Sequence, residues 1–232
     1  MSVLQYLLYW SEVWALLIPL SVIAFKKPKE KHIRILVWYV IIAFILNLTA
    51  NLMANFFYLA PKWMYLDGMV NNNILYNIHS IIRVLLFGLY IITIRPYRYS
   101  ILPKTILAAY LLFILINFIY FASPFYLSTN LFAAESIVLL ILSFNYYISS
   151  IQDESQTNWL KHPSFLICAG VSLYEVITFF IFLFFYPLIQ KDQAFFVVTM
   201  QIYAISFLML CLLLALAFYQ SKKQSQRDSV SG

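Results

Sequence analysis

Seven apolar stretches of about 20 residues each, set apart by short polar punctuation, constrain this chain more than any other feature. A hydrocarbon core roughly 30 Å thick needs about 20 apolar residues in a helix, each adding about 1.5 Å. The stretches cover residues 3–25, 35–59, 73–94, 104–122, 130–151, 164–187 and 195–219. Between them lie KKPKEKHIR from Lys26, PKWMYLDG from Pro61, RPYR from Arg95, SP at Ser123, DESQTNWLKHP from Asp153 and IQKDQ from Ile189. Prolines and charges in these segments end a helix mechanically. Only 10% of the 232 residues are charged and 63% are hydrophobic. A soluble domain carries about 25% charged residues, so this chain lacks the polar surface that water demands. The expectation is an all-α membrane protein, a seven-transmembrane-helix bundle in residues 1–220 with a short tail at 221–232.

The basic residues give these spans a direction. Lys26, Lys27, Lys29, Lys31, Arg34, Arg95, Arg98, Lys104, Lys161, Lys222, Lys223 and Arg227 fall on one side of the predicted bundle. Lys62 and Lys191 alone fall on the other. Lys and Arg accumulate on the cytoplasmic side of short loops. The N-terminus is therefore predicted outside and the tail inside. The net charge of +6 reports this topology and gives no reason to expect a nucleic-acid partner.

Five ionisable residues interrupt the apolar stretches: Glu12, His79, Arg83, Glu135 and Glu175. An ionisable side chain at mid-bilayer costs about 2.5–3.5 kcal/mol even on the lenient insertion scale, so such residues face a bundle interior and mark a function. With the direction fixed, these five and Gln201, Asn47, Asn51 and Asn55 gather between the outer surface and the midplane. The inner half holds mainly Asn145 and a few hydroxyls. Spacing agrees with depth. Asn72, Tyr76, His79 and Arg83 line one helical stripe, Asn47, Asn51 and Asn55 another, and Gln5 and Glu12 share a third. Such stripes must face one another or a water-filled cavity. Two plain readings stand beside the functional one: asparagine as glue between helices, and Arg83 with a glutamate as a structural ion pair. Three acids against one fixed cation leave negative charge in excess, which favours a site over glue.

Absences narrow the function. No lysine lies in the last span, which removes a retinal Schiff base. His32 and His162 lie on the side opposite His79, so an intramembrane zinc hydrolase has no ligand set. The four aspartates sit in loops or tail, which removes an intramembrane aspartyl protease. Four glycines give neither a phosphate loop nor Gly-broken transporter helices. Cys168 and Cys211 lie in apolar stretches and read as packed free thiols. No cofactor is expected, and no reaction.

SEVWALLIPL at the start, NNNILYNIH entering the third span, HPSF after the fifth and the Tyr174–Glu175 pair in the sixth resemble a family of small seven-span bacterial membrane proteins encoded beside two-component signalling genes. The family pattern has an acid near the position that Arg83 holds, and this chain departs from it there. The resemblance implies the inner (cytoplasmic) membrane and a sensory role. The residues themselves point to a receptor-like protein with an outward-facing intramembrane pocket. Its ligand-binding residues would be Glu12, Asn47, Asn51, Asn55, His79, Arg83, Glu135, Glu175 and Gln201. Arg83 would meet an anionic group of a small polar or zwitterionic ligand, and a glutamate a cationic one. Lipid surrounds the bundle, and a cytoplasmic or membrane signalling partner would carry the output. The alternatives are a small-solute transporter, a structural subunit of a membrane complex, and an enzyme acting on lipid.

Overall fold

The computed structural model describes residues 8–28, 30–56, 61, 64–66, 69–94, 101–152, 162–185 and 193–228. Within them run α1 (Ser11–Lys26), α2 (Lys31–Asn55), α3 (Asn73–Thr93), α4 (Ile101–Ile116), α5 (Thr129–Gln152), α6 (Pro163–Leu183) and α7 (Gln193–Asp228). A π-helical turn, Asn117–Phe121, continues α4. A two-residue antiparallel ribbon, β1 (Tyr65–Leu66) with β2 (Met69–Val70), is the small exception to an all-helical chain and lies between α2 and α3. Six helices, α2 to α7, are long and apolar enough to cross a membrane. The protein is thus a multi-pass helical membrane protein. The described part of α1 is 16 residues, about 24 Å, and falls short of that length.

Proline and capping chemistry set the helix ends. Pro163 opens α6 at a position where its missing N–H is no loss, and His162 Nδ1 accepts the Ser164 N–H at 3.3 Å. Lys27 takes a left-handed conformation, φ 46°, and its N–H closes α1 onto the Ile23 carbonyl. Pro19 sits inside α1, which runs on through it. The helix of α7 continues to Asp228, past the expected start of the tail at 221.

Contacts at the two ends establish an up-and-down bundle. At one end Glu12 of α1 meets Tyr203 of α7, and Phe132 of α5 stacks on Phe182 of α6 at 4.4 Å. Asn72, the cap of α3, reaches the Ala50 carbonyl of α2 there. At the other end Lys26 of α1 lies over the Tyr219 ring of α7, His32 of α2 faces Tyr90 of α3, and Tyr90 bonds Ser164 of α6. Most extensively paired are α6 with α7, α5 with α6, and α1 with α7, while α4 packs at the margin. Gly88 lets α4 approach α3: a Cβ there would stand 2.5 Å from Leu107 Cδ2.

Polarity is inverted relative to a soluble fold. Trp38, Ile45, Leu112, Ile119, Phe144 and Phe180 are exposed on the outer surface, while Arg83, Glu135 and Glu175 are buried. Toward the Lys26 end the interior is a mainly apolar layer that includes Leu36, Val40, Phe87, Leu139, Ile167 and Leu214, each fully buried. The charged residues sit above that layer, toward the Glu12 end.

Candidate functional site

Arg83 is the centre of the polar interior. His79 and Ser80, four and three residues before it, share its face of α3 and are buried with it. Its Nη1 lies 3.2 Å from Glu135 Oε1 of α5 and 3.7 Å from Glu175 Oε1 of α6. The guanidinium also rests over the Tyr174 ring of α6, with Cζ 4.9 Å from the centroid, a cation–π contact. Ser136 of α5 donates to Glu175 Oε2 at 2.7 Å. Three helices therefore close on one guanidinium and two carboxylates, whose formal charges sum to −1.

A second polar chain leads from this triad toward the bundle end. The Tyr174 hydroxyl donates to the Tyr203 hydroxyl at 2.9 Å, and Tyr203 donates to Glu12 Oε1 at 2.7 Å. The sequence left open which acid would meet Arg83. The structure gives it Glu135 and Glu175, while Glu12 is bound through the tyrosine pair. Residues from α1, α3, α5, α6 and α7 are thus joined, and Tyr39 of α2 stacks on His79 with centroids 6.1 Å apart.

Many atoms in this cluster lack a hydrogen-bond partner among the described residues. They include Arg83 Nε and Nη1, both Glu135 oxygens and Glu175 Oε1. The ion pairs are close in distance but poorly directed as hydrogen bonds. His79 Nε2 and the hydroxyls of Tyr39, Ser80 and Tyr110 are in the same condition. Ser80 stands beside Glu135 and Tyr110 without a well-directed bond to either. Native interiors leave few buried polar groups unsatisfied, and each costs about 1–3 kcal/mol, more when charged. Nine of these buried atoms gather around one triad.

The other sequence candidates are placed differently. Asn51 Nδ2 donates to the Asn47 carbonyl at 3.0 Å, and Asn55 Nδ2 to the Asn51 carbonyl at 2.7 Å. The Asn51 and Asn55 side chains are thus folded back on their own helix and Asn55 is exposed, while Asn47 Nδ2 is buried without a partner among the described residues. Gln201 is half-buried, but two residues from Tyr203 puts it about 200° around α7, away from the tyrosine chain. Gln5 lies outside the described residues.

The tyrosines are not among the candidate site residues that the sequence offers, and Tyr174 stands out only beside Glu175 in the resemblance. Tyr39, Tyr110, Tyr174 and Tyr203 carry the site's hydroxyls, but eighteen tyrosines leave no composition signal to single them out. Ser80 and Ser136 had a signal, since each sits within one turn of Arg83 or beside Glu135. The asparagines of NNNILYNIH have a structural task instead. Asn71 Nδ2 reaches the Phe125 carbonyl at 2.6 Å, and Asn77 Nδ2 the Pro124 and Tyr126 carbonyls at 2.9 and 2.8 Å. They tie the α4–α5 connection to α3. Asn117, in the π-helical turn, donates to Ser128 Oγ at 2.9 Å and completes that clasp.

Toward the Lys26 end the polar contacts include a hydroxyl pair and a pair in the predicted loop from Lys26. Tyr90 donates to Ser164 Oγ at 2.8 Å, and Glu30 pairs with His32 at 2.9 Å. Burial, then the neighbouring His32, holds His162 below the ordinary imidazole range. Among the described residues no three His, Cys, Asp or Glu side chains are arranged to hold a metal ion. Comparison with family models, curated proteins and solved structures finds no match to this chain.

Proposed function

We propose that this protein is a seven-span, receptor-like membrane sensor, with its N-terminus outside, its tail in the cytoplasm, and an intramembrane site for a small polar ligand reached from outside. The observation that carries this reading is the cluster of buried, partnerless polar atoms around Arg83, Glu135 and Glu175. It lies toward the end of the bundle that bears few basic residues. The end bearing Lys26, Lys31 and Arg34 is the cytoplasmic one by the positive-inside bias.

The seventh span is α1. Its contacts with α7 extend from Glu12–Tyr203 to Lys26–Tyr219, and Tyr203 to Tyr219 is 16 residues of helix, about 24 Å. The mainly apolar layer of Leu36, Phe87, Leu139 and Leu214 below the triad supports a sensor over a transporter, which needs a polar route through both halves. Arg83 already faces two carboxylates, so the surplus charge favours a cationic rather than an anionic ligand group. Output would pass to a separate signalling partner at the cytoplasmic end.

Access from outside is tested with a membrane-impermeant maleimide on intact cells, in a background with Cys168→Ala and Cys211→Ala. His79→Cys should label and Ser143→Cys, in the mainly apolar layer, should not. Labelling of neither would mean a closed polar core and would remove the outward-facing site. Labelling of both would favour a through-path and the transporter.

A further inference from the structure

We propose that the Glu135–Arg83–Glu175 triad is a proton-binding site, loaded from the outer side through Glu12, Tyr203 and Tyr174. This goes beyond the sensor reading and rests on it only for the direction of access. One guanidinium between two carboxylates leaves −1 at a place where all three side chains are 3% exposed or less. A net charge in a low-dielectric interior costs several kcal/mol even after relaxation. One proton on the carboxylate pair cancels it.

Hydrogen-bond geometry points the same way. Both Glu135 oxygens and Glu175 Oε1 lack a partner among the described residues. Two carboxylates can only accept; a carboxyl and a carboxylate also supply one donor. The titratable and charged groups around the triad are Glu12 from α1, Tyr39 from α2, His79 and Arg83 from α3, Tyr110 from α4, Tyr174 from α6, and Tyr203 and Cys211 from α7. Of the neutral ones His79 alone could become a cation, and one turn from Arg83 that charge is opposed by its like. Arg83 is the one fixed cation among them.

The tyrosine pair supplies the connection. Glu12, partly exposed near the bundle end, accepts from Tyr203, which accepts from Tyr174, and the Tyr174 ring carries the guanidinium on its face. An incoming proton passes from hydronium to Glu12. Tyr174 donates to Tyr203 and Tyr203 to Glu12, so inward transfer turns both hydroxyls. Glu12 gives its proton to the Tyr203 oxygen as the turned Tyr203 hydroxyl gives its own to Tyr174. The turned Tyr174 hydroxyl, whose ring lies against Arg83, gives its proton to the carboxylate pair. Each hydroxyl ends neutral, one water is released outside, and the net change is one O–H bond on the Glu135–Glu175 pair.

The test is infrared difference spectroscopy of the full chain in lipid vesicles, following the protonated-carboxyl stretch as external pH is stepped. Expected is a band of one carboxyl that is lost in Glu135→Gln or Glu175→Gln and kept in Glu12→Gln. Tyr203→Phe should keep the band at equilibrium and slow its appearance several-fold. In the unaltered chain, ¹³C labelling of glutamate carboxyls should shift the band, a check that needs no variant to fold. Absence of the band across the folded pH range would overturn the proposal, as would its survival in the double Gln variant or its loss in Glu12→Gln. An unchanged rate in Tyr203→Phe would overturn the relay. Failure of the maleimide test leaves this band untouched, so the two readings fall separately.

Discussion

Arg83 is sustained by what surrounds it. Two carboxylates at 3.2 and 3.7 Å and the Tyr174 face make a buried guanidinium tolerable. Removing the cation alone leaves two buried acids facing each other, and breaking a buried pair costs about 3–5 kcal/mol. Arg83→Leu is therefore expected to lower the melting temperature in detergent sharply. Glu135→Gln with Arg83 intact should cost less, because one carboxylate still balances the cation. If Arg83→Leu melts like the parent, the triad contributes nothing to stability. Glu12 depends on a different partner. Tyr203→Phe removes the donor to Glu12 and the acceptor from Tyr174 in one step, and should destabilise by about 1–3 kcal/mol. Arg83→Leu and Tyr203→Phe share Tyr174, so their double variant should depart from additivity.

At the level of elements, the α4–α5 connection is tied to α3 by asparagine side chains. Asn77 bonds two carbonyls of the α4–α5 connection and accepts the Ser128 N–H at 3.3 Å. Asn77→Ala should leave these backbone groups without partners, and limited proteolysis should then cut between residues 122 and 128, where the parent resists. The α3–α4 seam depends on a missing side chain. Gly88→Leu would drive several carbons into Leu107, already 2.5 Å from an added Cβ, and overpacking of that kind costs about 1–3 kcal/mol. At the other end the start of α6 is sensitive to acid. His162 is held below its ordinary value of 6.5, first by burial and then by His32. Folding therefore keeps it neutral while the unfolded chain takes up a proton, so stability falls as pH drops below about 6.5. His162→Gln should flatten that part of the stability–pH curve. An unchanged slope would show that another group titrates there.

Across the whole molecule, the arrangement is a bundle with a charged upper interior and a mainly apolar lower one. The apolar side chains on its surface need lipid, and Arg83, Glu135 and Glu175 need the interior. The positive-inside bias of the loops predicts the orientation. A reporter that is active only when exported, fused after Gly232, should be silent, and one fused at the N-terminus should be active. Activity at the C-terminus would invert the topology and move the polar half to the cytoplasmic side.

Periodicity and hydropathy determined the helices by themselves. The bounds of α2 to α6 within about four residues (α4 taken with its π-helical turn) and the inward-facing stripe of His79 and Arg83 follow from local physics, because a bilayer demands about 20 apolar residues and spacing of three or four puts residues on one face. The described part of α1 is shorter than its stretch, and α7 is longer. The clustering of ionisable residues in one half was also legible, since depth follows from chain position once direction is known. What the chain could not announce was the rotation of each helix about its axis. That rotation sends Glu135 and Glu175 to Arg83 and leaves Glu12 to Tyr203. It also brings the anonymous hydroxyls of Tyr39, Tyr110 and Tyr174 into the site. The asparagine stripe of α2 shows the same limit. Its spacing was visible, but whether an amide reaches across to a neighbour or back to its own carbonyl depends on how closely the neighbour packs. Pairing between helices is a property of their contact surfaces, and only the tertiary structure holds it.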